Sequence, residues 1–204
     1  MRCIILGASD YYVNGIPVRN DDLIIAADGG YAAALKLGIT PNIHLGDMDS
    51  GEKSDRAVIL PKEKDDTDTL YAVRTGLEKG ADEFIIYGGT GGRHDHTFAN
   101  IQTLSFISKK GARGYLVGKD TVYTVITNSS LRLKKQDHGF VSVFSLSDRS
   151  KGVFVKGLKY ALDGATVTND FPIGVSNEFT GKDAEISVAD GTLLCIVPPD
   201  SLDL

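Results

Sequence analysis

The sequence predicts an α/β protein: a mostly parallel sheet flanked by helices in the N-terminal part, and an antiparallel β-sandwich in the C-terminal part. Up to about residue 120, short apolar segments alternate with helical patterns, and most of these segments end at a glycine. After residue 120, strand-like segments follow one another without a convincing helix, separated by turn residues. We therefore expect a Rossmann-like domain over residues 1–127 and a sandwich domain over residues 128–204.

The N-terminal elements follow from the period of the apolar residues. Short apolar runs predict buried strands at 2–8, 22–27, 43–45, 57–60 and 83–87. Apolar residues at every third or fourth position predict helices at 31–37, 68–79 and 95–109. Gly38 and Gly80 end the first two helices, and Asp66 or Thr67 is the expected N-cap of the second.

The C-terminal half has the spacing of an antiparallel β domain. Strand-like segments recur at 121–127, 140–146, 152–156, 164–168, 185–188 and 192–197. Turn residues separate them, as in Asn169-Asp170-Phe171-Pro172 and Ala189-Asp190-Gly191. Ser176-Asn177-Glu178 lies among polar residues and is predicted to be a turn.

Composition and charge exclude several classes of protein. The 204 residues carry a net charge of −5, so no overall positive field attracts nucleic acid or an anionic membrane. Cys3 and Cys195 both lie in apolar runs, which predicts buried small side chains rather than a disulfide framework or a metal motif. No apolar run has the length of a membrane span and no signal-peptide pattern precedes the first strand, so we expect a cytoplasmic protein.

Three acidic motifs follow predicted strands of the N-terminal half. They are Gly46-Asp47-Met48-Asp49-Ser50, Lys64-Asp65-Asp66-Thr67-Asp68 and Arg93-His94-Asp95-His96. Loops at the carboxyl ends of parallel strands share one edge of the sheet, which is where such folds bind ligands. Carboxylates gathered there repel one another unless a cation neutralises them, and oxygen ligands favour Mg²⁺, often bridged to phosphates.

Each acidic motif also has a simpler explanation. Asp47 and Asp49 project to the same side of an extended segment, which suits one ion, although such pairs are common in surface loops. Acids at the start of the helix at 68–79 stabilise its dipole by about 0.3–1 kcal/mol each, which explains one or two of them. The remaining carboxylate is then available for a metal, and Lys64 for a phosphate.

A glycine loop and an arginine suggest phosphate binding. The backbone amides of Gly88-Gly89-Thr90-Gly91-Gly92 are able to surround phosphate oxygens, although the spacing is neither GxGxxG nor a P-loop. Arg93 follows directly, and a guanidinium binds phosphate through two parallel hydrogen bonds. A zinc site at His94 and His96 lacks further soft ligands, so a metal-binding or catalytic role for Asp95 is the better interpretation.

Taken together, these motifs resemble the thiamine pyrophosphokinase family over nearly the whole chain. Ala27-Asp28-Gly29-Gly30, the three acidic motifs, the segment from Gly91 to Asn100, and Val175-Ser176-Asn177-Glu178 come in the order of that family. The resemblance implies transfer of the pyrophosphoryl group of ATP to the hydroxyl of thiamine, with release of AMP. It also implies an α/β domain, a C-terminal β-sandwich, and a homodimer with active sites between subunits.

The resemblance further implies roles for individual residues. Asp47, Asp49 and Asp68 would hold Mg²⁺, with Asp95, Asp68 and Arg93 at the reacting centre. Lys64, Thr67, Thr90 and Arg93 would contact ATP, and Ser176, Asn177 and Asp28 would contact or lie near thiamine. The chain has no tryptophan to stack on the thiamine rings, so Phe179 or Tyr160 would take that place.

Three other functions fit part of the pattern. A pyrophosphokinase acting on another alcohol such as a pterin would keep the donor chemistry and change the acceptor. A nucleotide-sugar transferase would use Asp47-Met48-Asp49 as its metal site, although the short chain and the additional acidic loops argue against it. A non-catalytic nucleotide-binding module would bind Mg-ATP without turnover.

Overall fold

The computed structural model describes residues 1–12, 15–46, 57–59 and 65–204. The chain divides into two compact units, Met1–Gly118 and Lys119–Leu204. The second unit begins before the strand Val122–Thr127, because that strand pairs with Thr192–Val197 near the C-terminus. The division into a catalytic domain over residues 1–127 and a thiamine-binding domain over residues 128–204 stays a prediction.

The first unit contains a parallel sheet. Its described strands are β1 (Arg2–Leu6), β2 (Leu23–Ala27), β3 (Ile43–Gly46), β4 (Ala57–Ile59), β5 (Glu83–Tyr87) and β6 (Arg113–Val117). They lie in the order β6-β5-β1-β2-β3-β4, and neighbouring strands in this order pair in parallel. All five residues of β1 are buried, as expected for an inner strand covered on both faces.

Three helices in the described part of the first unit accompany this sheet. They are α1 (Gly30–Lys36), α2 (Asp68–Glu78) and α3 (His94–Lys109), each within about two residues of its predicted position. Gly38 and Gly80 follow α1 and α2 with φ of 69° and 85°, which confirms the predicted helix ends. Gly76 lets α2 approach the sheet closely, because a Cβ there would lie 2.6 Å from the Phe84 ring.

The second unit contains two antiparallel sheets. Its strands are β7 (Val122–Thr127), β8 (Ser130–Leu133), β9 (Phe140–Ser145), β10 (Arg149–Lys156), β11 (Leu162–Thr168), β12 (Gly174–Glu178), β13 (Ala184–Asp190) and β14 (Thr192–Val197). One sheet has the order β12-β9-β14-β7 and the other β11-β10-β13-β8. A short 3₁₀ helix, Pro199–Ser201, follows β14.

The prediction of a turn at Ser176-Asn177-Glu178 is wrong, because these residues belong to strand β12. Asn177 and Glu178 pair with Val141 and Phe140 of β9. The register shifts between Gly174 and Asn177, and Ser176 within this irregular stretch has a φ of 58°. A bulged strand at the end of a sheet uses the same polar residues as a turn, which explains the error.

The two cysteines behave as predicted. Cys3 and Cys195 are free and buried, and burial raises the pKa of each thiol to about 12. Both thiols therefore stay protonated at neutral pH. In the part of the chain that the structure describes, no helix is long and apolar enough to cross a membrane.

Candidate active site

The candidate site lies where the strand order of the first unit reverses. From β1 the chain continues to β2 on one side, whereas β5 and β6 lie on the other side of β1. The loops that leave the carboxyl ends of β1 and β5 therefore diverge, and such a point is the usual ligand site of an open α/β sheet. These two loops are Gly7–Asp10 and Gly88–Arg93.

A cavity of about 630 Å³ opens at this point. Its lining combines the two loops with the end of β2, the start of α2 and the first turns of α3. The residues are Gly7, Ala8, Ser9, Asp10, Ala27, Asp28, Asp66, Thr67, Asp68, Thr69, Gly88, Gly89, Gly92, Arg93, His96 and Asn100. Four of them are aspartates, and Arg93 is the arginine among them.

Three carbonyl groups of the glycine loop are bound by other parts of the unit. The Ser9 backbone N–H donates to the Gly88 carbonyl at 2.8 Å, and the Ser9 hydroxyl donates to the Gly91 carbonyl at 3.1 Å. The Asn100 side-chain amide donates to the Gly89 carbonyl at 2.8 Å. Gly91 and Gly92 have φ of 83° and 56°, a conformation that favours glycine.

The amide groups of the same loop are differently placed. Among the described residues, the N–H groups of Gly89 and Gly92 have no hydrogen-bond acceptor, and both residues line the cavity. A peptide whose carbonyl is bound on one side directs the following N–H to the other side. The loop therefore offers donors for an anionic ligand, as the sequence predicts.

The start of α2 supplies a cap and carboxylates. Thr67, one of the two N-cap candidates from the sequence, is the N-cap, and its hydroxyl accepts a hydrogen bond from the Leu70 N–H at 3.2 Å. Asp66 forms an ion pair with Arg74 at 2.8 Å. Asp68 lies in the first turn of α2 and lines the cavity. Asp66 lines the cavity as well, so both carboxylates border the space that a ligand would occupy.

Arg93 and Asp95 form an ion pair at the start of α3. The Arg93 Nε donates to Asp95 Oδ1 at 3.2 Å, and Nη2 donates to Oδ2 at 2.5 Å. The hydrogen bond from Arg93 is the main reason that the pKa of Asp95 lies below its usual range. Arg93 lines the cavity, whereas on α3 the residues that line it are His96 and Asn100.

Asp28 lies at the carboxyl end of β2 and faces the cavity. Its φ of 50° is unusual for a residue with a side chain, although aspartate tolerates it better than most. Its N–H donates to the Leu45 carbonyl at 2.7 Å, and Gly46 packs against it, because a Cβ there would lie 3.2 Å from the Asp28 Cα. These contacts fix the backbone from which the Asp28 carboxylate projects.

His44 on β3 supports this part of the sheet. Its ring stacks on Tyr31 with 4.4 Å between the centroids, and the side chain is buried. Burial lowers the pKa of His44, although a hydrogen bond to the Asp28 backbone acts in the opposite direction. The imidazole is therefore neutral at physiological pH.

The described lining of the cavity offers carboxylate oxygens, which suit a hard cation. The described residues by themselves, however, do not form a complete metal site. Aspartate oxygens without sulfur ligands favour Mg²⁺. Among residues 1–12, 15–46, 57–59 and 65–204, no group of three or more His, Cys, Asp or Glu side chains is arranged to hold a metal ion. The predicted ligands Asp47 and Asp49, and the predicted ATP contact Lys64, lie outside the described residues.

Thr90 differs from the other predicted ATP contacts. Its side chain is buried, and its hydroxyl is 3.5 Å from the Val117 carbonyl of β6. Thr90 is not among the lining residues of the cavity. The Thr90 hydroxyl is thus next to the sheet rather than in the cavity, and any ligand contact would involve the Thr90 backbone.

The predicted thiamine residues Ser176 and Asn177 lie on β12 of the second unit. Ser176 is exposed, whereas the Asn177 side chain binds both backbone groups of Tyr160. Asn177 Oδ1 accepts from the Tyr160 N–H at 2.9 Å, and Nδ2 donates to the Tyr160 carbonyl at 2.7 Å. The Tyr160 side chain is 59% exposed. Asn177 therefore fixes the backbone that presents the Tyr160 ring.

Comparison with known proteins agrees with this geometry. The family models described as "Thiamin pyrophosphokinase, catalytic domain" and "Thiamin pyrophosphokinase, vitamin B1 binding domain" match residues 17–116 and 128–193. The thiamine pyrophosphokinase of Bacillus subtilis is 30% identical over 188 residues, covering 87% of this chain and 88% of the relative. The chain belongs to the thiamin pyrophosphokinase family.

Solved structures of thiamin pyrophosphokinases have the same fold. The crystal structure of the Bacillus subtilis enzyme gives a TM-score of 0.86 at 27% identity, covering 98% of this chain and 100% of that chain. The structure from Geobacillus thermodenitrificans gives 0.83 at 25% identity, with both chains covered completely. The fold is therefore mixed α/β, with a large mostly parallel sheet plus an antiparallel sheet.

Several cavity residues are not predicted as site residues from the sequence, and Ser9, His96 and Asn100 are among them. His96 and Asn100 lie within the segment that resembles the thiamin pyrophosphokinase family, four residues apart on one helix face, which is a usable signal. Ser9 follows the first strand, and only the position of β1 at the reversal of strand order distinguishes it from other loop serines.

Proposed function

We propose that this chain transfers the pyrophosphoryl group of ATP to the hydroxyl of thiamine, giving thiamine diphosphate and AMP. The observation that supports it most is the cavity of the first unit, which combines free loop amides, Arg93 and several aspartates. Donors and a guanidinium suit the phosphates, and carboxylates suit the cation that accompanies a nucleotide. Membership of the family agrees with this function.

The nucleotide side of the site is proposed as follows. The amides of the glycine loop and Arg93 bind phosphate oxygens, with Lys64, Thr67 and Thr90 as further contacts. Attack at the β-phosphorus with AMP as leaving group increases negative charge on these oxygens, so donors aimed at them lower the barrier. Because the loop amides are held in place before the nucleotide binds, they need little rearrangement during the reaction.

The metal site is proposed to be Asp47, Asp49 and Asp68, holding Mg²⁺. When bound, the ion would neutralise phosphate charge. Asp68 reaches the cavity from the first turn of α2, while Thr67 fixes the start of that helix. The side chain of Asp68 is thereby supported by a capped helix rather than by a free loop.

Asp95 is proposed as the acceptor of the proton from the thiamine hydroxyl, with a metal-binding aspartate as the alternative base. In the ion pair with Arg93, its lowered pKa makes it a weak base. Movement of Arg93 from Asp95 to a phosphate would remove this effect. Binding of the nucleotide would then raise the basicity of Asp95 at the moment when the base is needed.

The acceptor side is proposed to use Ser176, Asn177 and Asp28, with Tyr160 stacking on the thiamine rings. Phe179 is unsuitable as the stacking ring, because it is only 6% exposed and bridges to Leu158 in the interior of the second unit. The Lys159 ammonium lies 5.4 Å from the centroid of the Tyr160 ring. A cation is thus already attracted to this ring, and the thiazolium of thiamine is also a cation.

The assembly and the finer architecture are proposals as well. We infer a cytoplasmic homodimer with active sites between subunits, a Rossmann-like first domain and a β-sandwich second domain. The second unit exposes several apolar side chains on and next to β9 and β12, and such a group commonly marks an interface. They are Phe140, Phe171, Ile173 and Val175.

The test is to incubate the purified protein with Mg-ATP and thiamine and to follow the phosphorus NMR spectrum. We expect AMP and a new pyrophosphate ester that both depend on thiamine. Asp68→Asn removes one carboxylate charge at nearly constant shape, and we expect it to abolish turnover while the circular dichroism spectrum stays unchanged. Glu78→Gln, at the other end of α2, is the matched control and should keep full activity.

The outcomes separate the alternatives. Release of ADP instead of AMP would overturn the pyrophosphoryl transfer. Turnover with a pterin alcohol but not with thiamine would keep the donor chemistry and change the acceptor. Binding of Mg-ATP without any turnover would favour the non-catalytic module.

A further inference from the structure

The glycine loop Gly88–Gly92 is held from two sides by residues that the function described above does not use. On one side, Ser9 binds the carbonyls of Gly88 and Gly91 through its N–H and its hydroxyl. On the other side, the Asn100 side chain binds the Gly89 carbonyl. Thus three of the five loop carbonyls accept hydrogen bonds from residues outside the loop: Ser9, which follows β1, and Asn100 on α3.

The hydrogen bond from Asn100 to the glycine loop is buried and closely packed. Asn100 is 5% exposed, and a Cβ placed on Gly89 would lie 3.0 Å from its Nδ2. The same Cβ would lie 2.7 Å from a Leu116 methyl group, so Gly89 fits closely between the helix and β6. The position of the Gly89 carbonyl is therefore set by packing and by one directed hydrogen bond.

The Ser9 side is supported in the same way. Gly7 and Gly88 approach so closely that a Cβ on Gly7 would lie 2.5 Å from the Gly88 carbonyl oxygen. The Tyr11 ring packs against Gly88, and its hydroxyl donates to the Gly7 carbonyl at 2.8 Å. The loop after β1 thus forms a rigid support beneath the glycine loop.

We propose that Ser9 and Asn100 are positioning residues that hold the glycine loop in the shape in which it binds the phosphates of the nucleotide. This inference rests on the proposed function. A loop with four glycines has many conformations, and a ligand that has to order it loses affinity. Ser9 fixes the carbonyls of Gly88 and Gly91, so the N–H groups of Gly89 and Gly92 in the same two peptides are ready for phosphate oxygens before the nucleotide arrives. Asn100 fixes the peptide between them through the Gly89 carbonyl and thereby limits the backbone rotation of Gly89.

The test compares Asn100→Ala with Thr103→Ala. Thr103 is also buried in α3, but its hydroxyl donates to the Ala99 carbonyl of its own helix at 3.0 Å. Both variants replace a buried polar side chain by alanine, so both report the general cost of such a change. We expect Asn100→Ala to raise the KM for Mg-ATP about tenfold, the effect of losing one well-made hydrogen bond.

The kinetic pattern distinguishes positioning from mere stability. For Asn100→Ala we expect kcat within about threefold of the wild type and an unchanged KM for thiamine. A structural role alone would lower kcat through a smaller active fraction and leave both KM values unchanged. Equal KM values for Mg-ATP in Asn100→Ala and Thr103→Ala would overturn the proposal.

A binding measurement tests the positioning role of Ser9 and Asn100 without turnover. Tripolyphosphate lacks the nucleoside, so its affinity by titration calorimetry reports on the phosphate contacts alone. It should fall about tenfold in Asn100→Ala, and an unchanged affinity would contradict the proposal. If the wild type showed no turnover, the proposed function would fail, and this titration would still test whether Asn100 positions the glycine loop for phosphate binding. If Asn100→Ala did not fold, Ser9→Ala, which removes only the bond to Gly91, would be judged by the same criteria.

Discussion

Asn100 and Asn177 use their side-chain amides in the same way, on the backbone of a loop. Asn100 binds the Gly89 carbonyl, and Asn177 binds both the N–H and the C=O of Tyr160. An asparagine carries a donor and an acceptor on one planar amide group. It can therefore make the hydrogen bonds that the backbone of a neighbouring strand or helix would otherwise make. Both residues serve their sites through the loops that they hold.

Arg2 and Asp22 form a buried ion pair that contributes to stability. The Arg2 Nε and Nη2 donate to the two oxygens of Asp22 at 2.9 and 2.6 Å, and the Arg19 N–H donates to Asp22 as well. Burial by itself raises the pKa of Asp22, but the hydrogen bonds from Arg2 and Arg19 outweigh it, so the pKa is lowered. The pair ties β1 to the segment that precedes β2.

We expect Asp22→Asn to lower the free energy of unfolding at pH 7 by about 3–5 kcal/mol, because it leaves the buried Arg2 without its countercharge. A lowered pKa in the folded state stabilises the protein above the unfolded value of about 3.9, and this stabilisation is lost as the pH falls below it. Urea unfolding at pH 7 and pH 3 therefore measures the difference between wild type and variant at both values. A difference that did not shrink at pH 3 would contradict the assignment.

At the scale of elements, the helix starts near the cavity differ in how they are capped. At α2, the Thr67 hydroxyl accepts from the Leu70 N–H, whereas the N-cap of α3, Arg93, makes no such side-chain bond. The α3 start instead carries the Arg93–Asp95 ion pair. The Asp95 carboxylate also accepts from the His96 N–H at 3.0 Å, so an acidic side chain of the first turn, rather than the N-cap residue, binds a backbone donor at this helix start.

We expect Thr67→Ala to lower the free energy of unfolding by about 1 kcal/mol through the loss of the N-cap of α2. Thr67→Ser keeps the hydroxyl and should stay close to the wild type. Thr69→Ala, two residues further on, is the matched control without a capping role. Equal urea midpoints for the two alanine variants would show that the cap contributes nothing.

Strand β6 illustrates an element that the sequence does not reveal. It contains Gly114, where a Cβ would lie 3.0 Å from side chains of Leu104 and Ile107 on α3. Close packing of the helix therefore favours glycine at this position, although glycine is unfavourable in strands. The tertiary contact overrides the local preference, and the strand signal is weakened for the same reason.

At the scale of the whole molecule, the exposed apolar residues of the second unit bear on assembly. Phe171 and Ile173 are 63% and 58% exposed and directly precede β12. Large apolar side chains scattered singly are normal on a surface, but several near one strand are typical of an interface. They support the proposed homodimer.

We expect sedimentation equilibrium to give twice the mass of one chain, and Phe171→Ser with Ile173→Ser to weaken the dimer at least tenfold. The physical reason is the loss of apolar area that association would bury. Leu35→Ser, which removes an exposed apolar side chain from α1 of the first unit, is the control and should leave the mass unchanged. A monomeric wild type would refute the dimer.

The sequence by itself determined most of the element order and the position of the acidic motifs. Continuous apolar runs and helical periodicity are properties of short segments, so most of the described strands and the three described α-helices are predictable within a few residues. For the same reason, the sequence predicts the cap of α2 to within two residues, Asp66 or Thr67, and predicts Asp68 at the carboxyl edge of the sheet. Strands β6, β8 and β12 are not predicted from the sequence. Gly114 weakens the strand signal of β6, and the register shift in β12 brings turn-like polar residues into a strand.

Only the tertiary structure decided which residues meet at the cavity. Ser9 and Gly91 are 82 positions apart, and no local pattern indicates that their hydroxyl and carbonyl form a hydrogen bond. The pairing of Arg93 with Asp95, and the use of the Asn177 amide on Tyr160, also depend on side-chain directions that spacing does not fix. Local patterns determine what a segment becomes, whereas contacts between distant segments determine what its side chains do.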